Sequence, residues 1–451
     1  MHLSVSTSVA VLAAYYSFPA FSLVHQSQQA AIAGDEILLG SSTHLESRDD
    51  KEKPPTLLVE IYNDRDHSIN AYIAGKEPIH KTQIFLQADT QEYYNFTAQV
   101  TTQAMLDSTP FAIHIAPKQT TTVNLPDYLE SGRIWLAEGD LHFKVNQDGS
   151  FAEPSGSDPS LPEYNLKWGF VELTHTKDAT FVNLSFVDWV GLSIGMSLTS
   201  EKGTEEVKGL EGGALKKICE EMKQQSSAKD AGGRPEWGQM CVNAADGALV
   251  RVISPNIYSS LDRARNSMAD FYTSDIDAMW TRYGKEDLVI HMQSEENGLA
   301  LPTAGQGVSA TCRVQGANMT CDRTAGAYSY GKPTTADIWG CDSGPFVVGP
   351  VDTAIPITMF HSRIIPRLCA MFTRGTHALT DGNTQPYTDI TQYYKHPVCN
   401  HYSRIVHNHL DNLKGYAFAY DDVNPDGIDH NAAGVLFASF PEKFHIDVKR
   451  D

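Results

Sequence analysis

The chain has 451 residues, enough for two or three domains and a sizeable core. It carries 35 Lys and Arg against 55 Asp and Glu, a formal net charge of −20. That balance, with no Lys/Arg cluster, argues against nucleic acid or an anionic membrane surface as partner, since both require a basic patch; a neutral substrate fits it.

Val9 to Val24 is mostly apolar or aromatic, and Ala20-Phe21-Ser22 offers a cleavage site. Residues 1–22 therefore read as a secretory signal, although only His2 stands where a basic n-region belongs, and the chain is expected to be secreted and extracellular. No membrane-spanning segment is expected. Three N-glycosylation sequons, at Asn95, Asn183 and Asn318, suit export. Residues 23–55 are polar, end in LESRDDKEKPP, and read as a disordered linker.

Structure is expected from Thr56. TLLVEIYN, AYIAG, QIFLQA, TTTVNLP and RIWLAEGDLHFKV are strand-like runs separated by turn residues, at the spacing of an all-β barrel or sandwich. A Pro/Ser/Gly/Asp loop then delivers the chain to Trp168. Two β-type runs follow, Trp168 to Thr174 and Thr180 to Val187, flanking a polar loop. Each has one carboxylate in apolar surroundings, Glu172 inside the first and Asp188 closing the second. An acid among Val, Leu and Phe is costly to bury without a partner or a task. Paired carboxylates on neighbouring strands are what glycosidases need; two surface acids on the polar side of a sheet is the plainer reading. In a hairpin turning at Thr176–Lys177, Glu172 pairs near Phe181 and leaves Asp188 several residues away, at about 3.3 Å each.

The pattern changes near Ser200. Ala214 to Gln225 has helical spacing, with Leu215, Ile218 and Met222 on one face. LVRVIS and DLVIHM read as strands, and Leu261 to Tyr283, Ile364 to Thr373 and Tyr402 to Leu413 as helices. Strands alternating with helices indicate an α/β domain over 201–414. VSATCRVQGANMTCD reads as a hairpin, and GYAFAYDDV and AGVLFASF as strands by which 415–451 returns to the β domain of 56–200. The fold class is thus mixed β and α/β.

All seven cysteines lie between Cys219 and Cys399. Cys312 and Cys321 face each other across the hairpin and are expected to form a disulfide. Cys219–Cys241 and a pair among Cys341, Cys369 and Cys399 are further candidates, with one thiol left over. No C-x-x-C occurs, so no zinc site is expected. Asp422 to Gly427 matches the opening of a calcium loop, but its twelfth position is Ala433 where a bidentate Glu is required. Cys341-Asp342-Ser343-Gly344-Pro345 lacks one glycine of a serine-protease nucleophile segment, and no matching histidine motif occurs. Tyr328, Tyr330, Trp339 and Tyr394 are aromatic residues suited either to sugar stacking or to the core.

WGFVELT followed by NLSFVDWVGLSIGMSL resembles glycoside hydrolase family 64, the endo-β-1,3-glucanases that release short laminari-oligosaccharides, characteristically the pentasaccharide. TLLVEIYN, TTTVNLPDYLESGRIWLAEGDLHFKVN, FAEPSGSDPSLPEYNLKWGFVE, LVRVISPN, CDSGPF and GYAFAYDDV extend the resemblance from Thr56 to the C-terminus. It implies a thaumatin-like β-barrel or sandwich with an inserted α/β domain. It makes Glu172 the general acid and Asp188 the general base of an inverting hydrolysis, and implies that the two meet. Among its apolar neighbours Phe170, Val171 and Leu173, Glu172 is expected to be desolvated and protonated. Thr174, Phe181, Arg374, Tyr420, Asp421 and Asp422 fall on cleft or substrate positions. The chain departs from the family at His175-Thr176, at Phe181 where Trp is common, and at Thr373-Arg374-Gly375-Thr376, where Asn-Arg-Ser-Thr is more usual. The implied substrate is β-1,3-glucan, with no cofactor and no metal. The alternative is a thaumatin-like β-glucan-binding or antifungal protein that does not hydrolyse.

Overall fold

A computed structural model describes residues 36–37, 56–95, 104–146, 151–177, 179–230, 232–261, 267–291, 309–323, 326–347, 355–425 and 432–451. The expected signal and nearly all of the expected linker lie outside them. The described residues fall into two compact units. The first runs up to Met268 and includes His401–Phe418 and 432–451; the second comprises Ala269–Asn400 and 419–425. No helix of the described residues is long and apolar enough to cross a membrane.

Two open sheets dominate the first unit. In one, Leu57–Asn63 lies between Thr120–Leu125 and the C-terminal strand Pro441–Val448, with Ile194–Ser200 and Gly203–Val207 beyond. Leu57, Val59 and Ile61 are buried and alternate with half-exposed Leu58, Glu60 and Tyr62, the period-2 signature read from TLLVEIYN. The other sheet runs 436–438, Thr180–Leu184, Trp168–His175, Leu129–Ala137, Ile69–Lys76, Gln83–Leu86 and Tyr93–Asn95, with Ile113–Ile115 also paired to Ile69–Lys76. A Cβ on Gly169 of this sheet would stand 3.4 Å from Ile194 Cδ1 of the first, so their facing sides share a core.

The helix Ala214–Ser226 buries Leu215, Ile218, Cys219 and Met222, the face expected from its spacing, and a Cys219–Cys241 disulfide ties it to the strand Cys241–Asn243. GYAFAYDDV is not a strand. Gly415 sits at φ 154°, and Tyr416 makes a single bridge to Ser185 before the chain turns. Alternating Ala and aromatic residues imitate strand periodicity there, but no ladder forms.

The loop leading to Trp168 is held by one buried cation. Arg251 donates to the carbonyls of Gly156 (2.7 Å), Tyr164 (3.0 Å), Glu163 (3.0 Å) and Leu166 (2.6 Å). Burial lowers its pKa to about 10, still charged at neutral pH. Arg251→Met is expected to destabilise the fold by more than about 3 kcal/mol, because several buried carbonyls lose their donor at once. Arg251→Lys should recover only part, since an ammonium cannot fork to four carbonyls. Denaturant midpoints measure this; an unchanged midpoint for Arg251→Met would mean that the loop holds itself.

In the second unit the strands Gly326–Tyr330, Asn318–Arg323, Ser309–Gln315, Leu288–His291 and Thr384–Gln385 form one sheet in that order. The expected hairpin is its centre: Cys312 pairs with Cys321 in register and the two are disulfide-bonded. Two helices, Thr273–Tyr283 and Ile355–Thr373, belong to this unit. A Cys341–Cys369 disulfide fixes the latter, and Cys399 is a buried cysteine outside the three disulfides. Where one helix was expected from Leu261 to Tyr283, Pro255–Leu261 is one helix, Ser267–Asp270 a short 3-10 turn and Thr273–Tyr283 a further helix, with 262–266 outside the described residues.

Candidate active site

The strand Trp168–His175 is antiparallel to Leu129–Ala137 on one side and to Thr180–Leu184 on the other. Seven of its positions are buried, on both faces, and Glu172 alone is half-buried, its side chain 27% exposed. This is not the half-solvated sheet of the plainer reading. Glu172 lies opposite Arg133 across one ladder and opposite Asn183 across the other, so these three side chains stand in a row on one face. Arg133 donates to Glu172 Oε1 at 3.3 Å and Asn183 to Oε2 at 2.8 Å. Arg133 also pairs with Glu153 and lies 4.5 Å from the Phe170 ring centroid. Burial disfavours the Arg133 charge, but Glu153, Glu172 and Asp188 outweigh it and hold the guanidinium above its usual range.

Glu172 is therefore not enclosed as its sequence neighbours suggested. Val171 and Leu173 point to the opposite face of the strand, and only Phe170 shares its side. The register differs too. Thr176 N–H donates to Ala179 O at 2.9 Å, so the turn spans Thr176–Ala179 and Phe181 pairs with Thr174 rather than near Glu172.

Beyond Leu184 the chain leaves this sheet. Phe186 N–H donates to Tyr416 O, the Tyr402 hydroxyl donates to Phe186 O at 2.6 Å, and Trp189–Val190 pairs with Leu249–Ile253 of a different sheet. Asp188 is half-buried at this crossing; its main-chain oxygen accepts from Ser254 at 2.8 Å. Trp189 anchors the crossing, donating from Nε1 to Trp168 O at 3.2 Å and meeting the Trp168 ring edge-on at 4.5 Å. Gly191 must be glycine, because a Cβ would fall 2.0 Å from Trp168 O. The charge of Asp188 acts on Arg133 and on the buried Tyr402 hydroxyl. Arg133 itself is ion-paired to Glu153 and Glu172. Sequence reasoning missed Arg133, Glu153 and the role of Asn183; the one local signal was a lone Arg in a strand beside Ile134 and Trp135.

The residues that the resemblance assigns to substrate are placed as follows. Thr174 is buried and its Oγ1 accepts from Ser131 N–H at 3.3 Å. Phe181 is buried, its ring 4.9 Å from that of Phe437. Arg374 and Asp421 belong to the second unit and are both buried, with Arg374 donating to the Val423 and Asp421 carbonyls at 2.6 and 3.2 Å and standing 3.6 Å from the Asp421 carboxylate. Tyr420 and Asp422 are half-buried. Tyr420 packs on the Cys341–Cys369 pair, and burial with Asp422 and Asp342 nearby raises its pKa to about 12. Burial raises Asp422 to about 6, against the opposing charge of Arg367. Asp426 and Gly427 of the calcium-like loop lie outside the described residues.

A family model described as Beta-1,3-glucanase, glycoside hydrolase 64, matches residues 55–448. The chain belongs to that family. A glucan endo-1,3-beta-glucosidase of Cellulosimicrobium cellulans is 27% identical over 316 residues, 68% of this chain and 50% of the relative. One of Arthrobacter sp. (strain YCWD3) matches to the same extent. The chain thus spans about half the length of the curated relatives it matches. Among solved structures, a laminaripentaose-producing beta-1,3-glucanase in complex with laminaritetraose superposes with a TM-score of 0.71 at 22% identity, over 89% of this chain and 99% of that one. A family 64 beta-1,3-glucanase domain from Clostridium beijerinckii gives 0.64 at 18%, over 88% and 100%. At these identities the likeness to the solved structures is one of fold.

Proposed function

We propose that this family 64 chain is an exported endo-β-1,3-glucanase that cleaves β-1,3-glucan to short oligosaccharides with inversion of configuration. The observation that carries the reading is Glu172: a half-open carboxylate fixed on a strand otherwise buried on both faces, paired with Arg133, which also feels the charge of Asp188. In this reading Glu172 protonates the departing glycosidic oxygen. Asp188 takes a proton from water on the opposite face of the sugar, a role that needs the carboxyls about 6.5–9.5 Å apart. Arg133 is ion-paired to Glu153 as well as to Glu172, so Glu153 still neutralises it when Glu172 carries the proton to be donated. The segments FVNLSFVDWVGLSIGM and GYAFAYDDV support a thaumatin-like ancestry for the first unit, and the apolar N-terminus and the disulfides support export.

The test is incubation of the purified chain with a linear β-1,3-glucan, followed by NMR of the products before mutarotation. Short oligosaccharides in the α configuration are expected, with little action on cellulose and no loss in EDTA. Fresh β-anomers would show a retaining enzyme. Binding to the glucan without any product would leave a non-catalytic glucan-binding protein.

A further inference from the structure

A second cluster of reactive side chains, in the second unit, is not used by this chemistry. Asp275 on the helix Thr273–Tyr283, His377 on the turn Thr376–Ala378 and His396 converge. The Asp275 Oδ1 atom lies 3.0 Å from His377 Nε2 and 2.6 Å from His396 Nε2, and one ligand atom from each residue lies within 4.8 Å of the others. The two rings meet edge to face at 5.3 Å.

His377 Nδ1 lies 3.4 Å from the Met371 carbonyl. With Nε2 on an ion, Nδ1 keeps its proton and can donate to that carbonyl. A ligating histidine that donates its other N–H to a backbone carbonyl is the usual outer-shell arrangement of a metal site.

The scaffold holds the three groups in place. Arg282, on the Asp275 helix, donates to the carbonyls of His377 (3.2 Å), Leu379 (2.6 Å) and Thr380 (2.7 Å), clamping the turn that carries His377. Gly375 at φ 72° opens that turn, and a Cβ there would stand 2.9 Å from the Cβ of His396. Exposure is graded, with the His377 side chain 3%, Asp275 12% and His396 26% exposed, so one side of the cluster opens to water.

We propose that Asp275, His377 and His396 bind a divalent zinc-like ion through two imidazoles and one carboxylate, with water completing the tetrahedron. The donor set suits zinc. Bonds of about 2.0–2.2 Å to the ion require the carboxylate oxygen to retreat by a few tenths of an ångström, which a partly exposed side chain permits. The ion cross-links a helix, a turn and a loop, and its role is structural.

The test uses the full chain, stripped with EDTA and dialysed, and titrated with zinc chloride alone by calorimetry. In a second arm, cobalt chloride is followed by visible absorption. One equivalent of zinc, a cobalt spectrum of tetrahedral intensity and a rise in melting temperature with zinc are expected. His396→Gln and Asp275→Asn should each weaken binding by more than the roughly 10–100-fold that a second-shell change costs. His396 is partly exposed, so His396→Gln keeps the fold, checked by circular dichroism and retained glucan hydrolysis. Two results overturn the site: no zinc uptake at millimolar zinc, or uptake that survives both substitutions together.

Discussion

Glu172→Gln is expected to lower turnover of β-1,3-glucan by roughly 10²–10⁴-fold, the range over which a positioned proton donor acts. The fold should survive the change. Gln occupies the same volume, its carbonyl oxygen still accepts from Arg133, and Asn183 can turn its amide to present oxygen instead of nitrogen to the new NH₂. Glucan binding should therefore stay within a few-fold of the parent while kcat collapses, the pattern of a group that acts in the transition state. Asp188→Asn should lose activity to a similar degree, because an amide cannot take the proton of the attacking water. Glu153→Gln is the discriminating control. If Glu153→Gln loses activity while Glu172→Gln remains active, the donated proton resides on Glu153. Rates on a linear glucan, with binding measured separately by sedimentation, decide between these outcomes.

Much of the scaffold was legible because it rests on local period. TLLVEIYN alternates and is a strand with alternate residues buried; ALKKICEEMKQQ repeats at helical spacing and buries the stripe it predicts. The Cys312–Cys321 pair followed from a short hairpin whose register a disulfide can span. Pro441–Val448 was missed although Phe444, Ile446 and Val448 alternate with Lys443, His445 and Asp447. Its polar side and its initial Pro weaken the strand signal, yet it pairs on both sides within its sheet. The site was only half legible. Glu172 and Asp188 stood out as acids in apolar runs, but the turn length that fixes the Glu172 register is settled by Thr176 and Ala179. Arg133 and Glu153 are 39 and 19 residues away in sequence, and nothing local announces a pair that the sheet brings together.

Replacement of Arg133 should move the pH dependence of catalysis as well as its rate. The guanidinium is ion-paired to Glu153 and Glu172, and the charge of Asp188 acts on it as well. A nearby positive charge favours the ionised form of a carboxylate, so removing it makes every acid in the cluster harder to ionise. The base must be ionised and the acid protonated. The acidic limb of the kcat/KM profile reports the base and the alkaline limb reports the acid, so in Arg133→Met both limbs should move to higher pH. On the acidic side of the optimum the variant then loses rate, and on the alkaline side it retains a larger share of its own maximum than the parent does. Stability should fall by only about 1 kcal/mol, since Glu153 and Glu172 are partly exposed and water can take the place of the lost donor. Arg133→Lys should restore part of the profile without the two-way fork to Glu153 and Glu172. A profile that stays in place, or moves to lower pH, would show that Arg133 does not set the charge balance of the acid and base.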